Sequence, residues 1–283
     1  MILITGCNGF IGKHLCRSLP SVGWDLEHDI RYCAETPEIE GIVNLACHAS
    51  PKRYQADPIG TVMTNVQGVN NLLALARFCK AWFVQASTSE VYGDPHTDTQ
   101  SETDWGHVNP NGPRACYDEG KRCAETLCFD YQRMYGTDVR VARIFNTYGP
   151  GMDADDGRVI PNFVVQALNN EPMTVYGDGS QTRSFCYISD LIDGLKMLCS
   201  SPLDGPVNLG NPDPISMIGL AKLIKELVGS RSEIVHRPLP VDDPKQRRPN
   251  IAKAKAMGWS PRVQLTEGLM YTISHFDRKL RAA

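Results

Sequence analysis

No apolar run in the chain approaches the ~18 residues that a membrane-crossing helix requires, which excludes a helical span from the sequence pattern. Charge of one sign is also missing. The 29 basic residues face 32 acidic ones, a formal net charge of -3, so no general basic field exists to draw nucleic acid or an anionic membrane. The first residues, Met1 to Gly6, lack both a basic segment and a small-residue cleavage site and lead directly into a strand-like run, unlike a signal peptide. A soluble, cytoplasmic protein is the expectation. Repeats, low-complexity tracts and a flexible linker are absent too. Cysteine is plentiful, yet no two of the ten (Cys7, Cys16, Cys33, Cys47, Cys79, Cys116, Cys123, Cys128, Cys186, Cys199) form a CxxC pair. That spacing speaks for reduced, structural thiols and against zinc or a disulfide framework, so no metal is expected.

What the sequence does contain is alternation. Short apolar runs at 2–5, 42–46, 82–87 and 139–144 are separated by helical patterns at 10–19, 58–78 and 117–134. This is the mark of βαβ units and a parallel, doubly wound Rossmann-type sheet. The alternation loosens after Gly149. Residues 1–160 are expected to bind the dinucleotide, with a later segment near 185–212 returning to that unit. Residues 161–283 are expected to form a smaller α/β cap that binds the substrate.

Gly6-Cys7-Asn8-Gly9-Phe10-Ile11-Gly12 is a GxxGxxG pattern between the first strand and first helix. Glycines there permit a tight turn and let backbone amides approach a pyrophosphate at the positive end of the helix. An acidic residue some distance on would hold the adenosine ribose and select NAD over NADP, and Asp29 stands at a suitable distance. Asp25, Glu27 and Asp29 also fit the exposed face of an alternating strand over 24–30, and that reading stays open. Only Arg31 could greet a 2′-phosphate.

Tyr117-Asp118-Glu119-Gly120-Lys121 places a phenol and an ammonium on one helix face. A nearby cation and the positive nicotinamide ring both favour the phenolate, making a base for a sugar hydroxyl. The spacing is common by chance. Its context is not, because Ser87-Thr88-Ser89-Glu90 comes shortly before it at the C-terminal end of a predicted strand, where open α/β sheets build their sites.

With these residues in that order, the chain resembles the extended short-chain dehydrogenase/reductase family, and within it the UDP-glucuronate decarboxylases (UDP-xylose synthases). The resemblance is carried by Ser87-Thr88-Ser89-Glu90-Val91-Tyr92-Gly93-Asp94-Pro95, by Trp105-Gly106-His107-Val108-Asn109-Pro110 and by Gly112-Pro113-Arg114-Ala115-Cys116-Tyr117-Asp118-Glu119-Gly120-Lys121-Arg122. It continues through Arg143-Ile144-Phe145-Asn146-Thr147-Tyr148-Gly149-Pro150 and Gly179-Ser180-Gln181-Thr182-Arg183, and covers nearly everything from Asn44 onward. It implies that NAD+ takes hydride from C4 of the glucuronate while Tyr117 removes the C4 hydroxyl proton. CO2 then leaves the resulting β-keto acid, and the same cofactor returns hydride to give UDP-xylose.

By the same resemblance Lys121 lowers the Tyr117 pKa and holds the nicotinamide ribose, Thr88 bonds the 4-oxygen, and Glu90 positions the sugar and helps protonate C5. Related dehydratases carry an Asp-Glu pair where this chain has Ser89-Glu90, which argues against dehydration. Thr147 and Arg158 match cofactor-side positions, and the cofactor set expected for this chain is Gly6, Asn8, Gly9, Phe10, Ile11, Gly12, Asp29, Ile30, Leu45, Ala46, Thr147 and Arg158 with the catalytic pair. Ser89, Glu90, Asn146, Asn162, Tyr176, Gln181, Arg183 and Arg247 match substrate-side ones. For Lys245 and Arg248 a solvated loop is the favoured reading. A homodimer is implied.

The chain departs from this family in its first half. Only about 30 residues separate Gly12 from Ile42, too few for the usual second and third strands. Residues 24–30 would serve as the second strand, with Asp29 on ribose, or as the third, with Asp29 near adenine. Cys47-His48-Ala49-Ser50-Pro51 replaces a Ser-Pro-Ala-Ser-Pro, and Met63 stands where a Lys is expected. Poor cofactor retention would release NADH and a 4-keto-pentose. A 4-epimerase, a 4-keto-pentose producer and a non-catalytic NAD sensor therefore stand beside the decarboxylase reading.

Overall fold

Side chains of the first strand alternate between two apolar layers, and that alternation organises the molecule. The computed structural model describes residues 1–32, 38–239 and 246–282; Cys33 and Lys245 lie outside the described residues. In chain order the first half runs β1 (Ile2–Thr5), α1 (Phe10–Ser18), β2 (Ser21–Trp24), β3 (Gly41–Asn44), α2 (Pro51–Ala56), α3 (Pro58–Met63), α4 (Val69–Cys79), β4 (Trp82–Thr88), α5 (Ala115–Tyr135) and β5 (Val139–Ile144). The second half adds β6 (Thr147–Tyr148), α6 (Val159–Leu168), β7 (Met173–Tyr176), β8 (Thr182–Ser184), β9 (Cys186–Tyr187) and α7 (Ile188–Ser200). It closes with β10 (Pro206–Leu209), β11 (Pro214–Ser216), α8 (Met217–Val228), β12 (Ile234–Arg237), β13 (Gln246–Arg247), α9 (Ala252–Ala256) and α10 (Leu265–Arg281).

Six strands form one parallel sheet in the order β10-β5-β4-β3-β1-β2. Successive strand residues point to opposite faces. Ile2, Ile4, Val43, Val84 and Ala142 pack under α1 and α7, through Leu15, Leu191 and Leu195. Leu3, Ile42, Phe83 and Val141 pack under α4 and α5, through Leu72, Leu73, Ala124 and Cys128. The sheet is thus covered on both sides, as a parallel sheet must be, and the Rossmann-type doubly wound expectation holds. A third apolar core joins α6, α8 and α10 in the C-terminal half through Phe163, Leu220 and Phe276. There β8 lies between β11 and β13, and β7 pairs with β12.

The strand expected over 24–30 is not formed. β2 stops at Trp24, and residues beyond it turn back, with the His28 amide donating to the Asp25 carbonyl at 2.7 Å. The reason is local. The Asp25 carboxylate accepts from the amides of Leu26 (3.0 Å) and Asn8 (2.6 Å), an arrangement that favours a turn over extension. β2 is moreover the last strand of the sheet among the described residues, bonded to β1 alone, so no second strand there holds residues 25–29 in the ladder. Among the described residues no strand lies outside β2. The sheet still reverses its strand order at β1, between β2 and β3, and this opens the crevice where such sheets bind ligands.

Candidate active site

All the chemistry collects at the C-terminal ends of the parallel strands. β1 ends in the glycine loop. A Cβ at Gly6 (φ +67°) would lie 2.9 Å from the Leu45 carbonyl carbon, and one at Gly12 would lie 2.1 Å from the Gly6 oxygen. Only glycine permits this approach of loop, helix and strand. α1 starts at Gly9 with no side-chain cap and no acid in its first turn, so the positive helix end is left to an anion. Leu45 and Ala46 form the opposite wall, their amides donating to the Thr5 carbonyl and the Asn44 side chain. This cradle fits a dinucleotide pyrophosphate. Of the expected loop residues, Phe10 stacks edge-on against His14 and Ile11 packs into the sheet core. Their side chains serve packing, and toward the cradle they offer backbone.

A buried polar chain links this cradle to the catalytic helix. The Thr5 hydroxyl donates to Asn44 (2.6 Å), Asn44 to Gln85 (2.9 Å), and Gln85 to the Ala86 carbonyl (3.0 Å). That carbonyl also accepts from Lys121 Nζ at 2.8 Å. Lys121 is thereby pinned on β4, one turn along α5 from Tyr117, with its ammonium 5.9 Å from the Tyr117 ring centre.

Tyr117 is 7% exposed, and its ring stacks on Tyr54 with centres 5.1 Å apart. Burial pushes its phenol well above the ordinary tyrosine pKa, and nearby Cys47 and Glu90 act the same way. A hydrogen bond from Thr88 and the charge of Arg158 pull it back down. The Thr88 hydroxyl, which donates to Tyr117, accepts from the Glu90 amide at 3.2 Å. The Thr88–Tyr117–Lys121 grouping expected from sequence is therefore assembled.

Glu90, implied to position the sugar and to help protonate C5, sits between two guanidiniums. Its Oε2 accepts from Arg114 and, at 2.6 Å, from Arg247. Burial alone would raise its pKa, but Arg247 and Arg114 outweigh that and hold it ionised. In this state Glu90 organises cations. The β8–β13 register sets Arg247 directly opposite the buried Arg183, another of the charges acting on Glu90.

Other expected residues take separate places. Gln181 donates to the Tyr176 carbonyl at 2.8 Å at the open end of β7, where Tyr176 is exposed. Asn162 lies in the first turn of α6, just after Arg158, which pairs with Asp156 at 3.1 Å. Asn146 and Thr147 follow β5, and Thr147 bonds the Phe145 carbonyl. Ser89 is buried in the short turn after β4. Arg248 donates to the Pro212 carbonyl and so is not merely solvated. Asp29 lies past the end of β2 in a bidentate pair with Arg31 (2.9 Å), while Ile30 is buried against Gly68.

Four residues in the site were not among the sequence candidates. Asp25 stands at the end of β2 beside the glycine loop. Arg114 lies one turn before Asp118, its Nε 3.7 Å from that carboxylate. Tyr54 and Asp118 each keep a buried polar atom, Oη and Oδ1, without a partner among the described residues. Arg114 could have been flagged by its i,i+4 spacing to Asp118. Tyr54 left no local signal.

Asp118 carries a pH prediction. Burial first, and the Glu90 charge second, raise its pKa from 3.8 to about 7. The folded state therefore holds this proton between pH 4 and 7 while the unfolded chain releases it, and stability falls as pH rises through that window. Asp118→Asn, which cannot ionise, is expected to be the more stable form at pH 8, by on the order of 2–3 kcal/mol, and to lose that advantage toward pH 4. Melting temperatures of both proteins across that range check it; parallel curves would refute it.

The model of the NAD dependent epimerase/dehydratase family matches residues 25–210. The chain belongs to this family. Among relatives of this epimerase/dehydratase-family protein, the UDP-glucuronic acid decarboxylase 1 of Danio rerio is 49% identical, with 99% of this chain and 73% of that protein covered. UDP-glucuronic acid decarboxylase 6 of Arabidopsis thaliana is 47% identical, covering 99% and 89%. The first alignment spans 305 positions, more than the 283 residues available, so the relative has segments this family member lacks. Among solved structures, the UDP-glucose 4-epimerase of Thermotoga maritima with UDP-glucose superposes with a TM-score of 0.90 at 26% identity over 99% of both chains.

Proposed function

We propose that this protein is an NAD-dependent UDP-glucuronate decarboxylase that makes UDP-xylose. The observation that carries the reading is the convergence of two guanidiniums, Arg114 and Arg247, on the single buried carboxylate of Glu90, beside Thr88 and Tyr117. The surplus positive charge and the unpartnered Tyr54 hydroxyl suit a second carboxylate, that of a glucuronate. The decarboxylase relatives are nearly twice as identical to the chain as the epimerase structure, which supports the same choice.

A dinucleotide in the glycine-loop cradle supplies the hydride acceptor and donor for C4. Tyr117 takes the C4 hydroxyl proton, with Lys121 offsetting the phenolate charge. Once C4 is a ketone, the C5 carboxylate is β to a carbonyl; CO2 leaves, the electron pair of the broken C5–carboxylate bond moves onto the C4 oxygen, and C5 then takes a proton from water as the ketone re-forms. Thr88 and Tyr117 donate to that oxygen. Glu90 keeps Arg114 and Arg247 aimed at the sugar. The cofactor side comprises residues 1–160 with the segment near 185–212, and the UDP-sugar side mainly 161–283. Two copies form the working particle, and its location is cytoplasmic.

The ribose-holding acid in this reading is Asp25 instead of Asp29, because Asp25 stands at the strand end beside the loop and Asp29 is committed to Arg31. Asp25→Ala is expected to weaken NAD+ binding by about tenfold and Asp29→Ala by less than about threefold, measured by titration calorimetry. The reverse order would sink the assignment.

The decisive assay incubates the purified protein with UDP-glucuronate, with and without added NAD+, and identifies products by mass. UDP-xylose and CO2 are expected. UDP-4-keto-pentose with NADH would favour the releasing variant, UDP-galacturonate the epimerase, and no CO2 under either condition overturns the decarboxylase reading.

A further inference from the structure

Away from the crevice, α1 presents Phe10, Lys13, His14 and Arg17 on one face, spaced at i, i+3, i+4 and i+7. Across from it α10 presents His275 and Lys279, and the loop Pro150–Gly151–Met152 forms the floor between the two helices. Together they enclose a cavity of about 320 Å³. Five side chains of its lining are basic or imidazole and none is acidic, in a chain whose net charge is -3.

The two histidines are fixed by the floor. His14 Nε2–H donates to the Pro150 carbonyl at 2.8 Å, and the Gly151 amide donates to His275 Nε2 at 3.1 Å. His275 therefore carries its proton on Nδ1. Burial first, and then the charges of Lys279, Arg278 and His14, hold its pKa below the ordinary histidine value. Asp277, the nearest acid along α10, pairs with Arg281 at 2.9 Å. Like charges facing one another across a concave surface repel, and among the described residues no acid lines the cleft to neutralise them.

We propose that this cleft binds a phosphate-bearing anion of about pyrophosphate size, at a site separate from those for cofactor and substrate. Its volume lies at the small end of the range for ligand sites. Lysine, arginine and imidazole N–H groups are the usual partners of phosphate oxygens. Arg17 is eight residues from Gly9, about 12 Å along α1, and none of Glu90, Tyr117 or Lys121 lines the cavity. The proposal does not depend on the decarboxylase reading.

The test is a calorimetric titration of the protein held saturated with both NAD+ and UDP, at constant ionic strength, with inorganic pyrophosphate in one arm and ADP in the other. One further equivalent is expected to bind, and whichever arm is tighter identifies the source as inorganic or nucleotide. Lys13→Glu with Lys279→Glu, both exposed, should weaken that binding at least about tenfold while leaving turnover unchanged. Arg17→Gln, a milder change, should weaken it about threefold. No binding by the saturated wild type in either arm, or equal binding by the variants, overturns the proposal.

Discussion

Tyr117→Phe is expected to slow CO2 release from UDP-glucuronate by about 10³-fold, on the order of 4 kcal/mol of transition-state stabilisation. The substitution removes one oxygen. The ring remains stacked on Tyr54, Lys121 keeps its bond to the Ala86 carbonyl, and only the Thr88 hydrogen bond is lost from the fold. Because burial already favours the neutral phenol, wild-type activity should depend on positive charge brought next to it, and the Phe variant has no proton to give up. Dinucleotide content of the purified variant, read by extraction and absorbance, should equal that of the wild type. A variant that still releases CO2 at a tenth of the normal rate would remove Tyr117 from the role of base.

Gly12→Ala is expected to abolish stable dinucleotide binding, with an affinity loss of at least about 100-fold, near 3 kcal/mol. The added Cβ would lie 2.1 Å from the Gly6 oxygen and under 3 Å from two backbone atoms of Cys7. Backbone cannot swing aside as a side chain can, so α1 must move away from the loop that it holds in place. Overpacking of this kind costs about 1–3 kcal/mol of stability as well, visible as a lowered melting temperature. Equilibrium dialysis against NAD+ is the check. Near-normal affinity would mean that the loop tolerates displacement and that the cradle is not the pyrophosphate site.

Much of this architecture could be read locally. The glycine spacing, the apolar strand before it and the Tyr117–Lys121 interval are each set by residues within a few positions of one another, and their physics is that of a tight turn or a single helix face. The ordering of Thr88, Glu90 and Tyr117 needed only the rule that open parallel sheets act at their C-terminal strand ends.

Other features depend on partners far apart in the chain. The end of β2 was misplaced because alternation over 24–30 looks like a strand. Whether such a run extends depends on neighbouring strands, and among the described residues β2 has β1 alone. That end point is what brings Asp25, and not Asp29, beside the glycine loop. Arg247 meets Glu90 across 157 positions, and the Thr5–Asn44–Gln85 chain crosses three strands. The cleft between α1 and α10 unites opposite ends of the sequence.

The sequence by itself determined the parallel α/β class and the glycine loop, since short-range periodicity and fixed spacing encode both; the roles proposed for Thr88, Tyr117 and Lys121 rest on the family resemblance. Only the tertiary structure decided that Asp25, and not Asp29, stands beside the glycine loop and that Glu90 is a buried anchor between two arginines. It alone placed Tyr54 and Asp118 in the site. Strand termination, desolvation and charge pairing are all set by what packs alongside, and no stretch of chain carries that information alone.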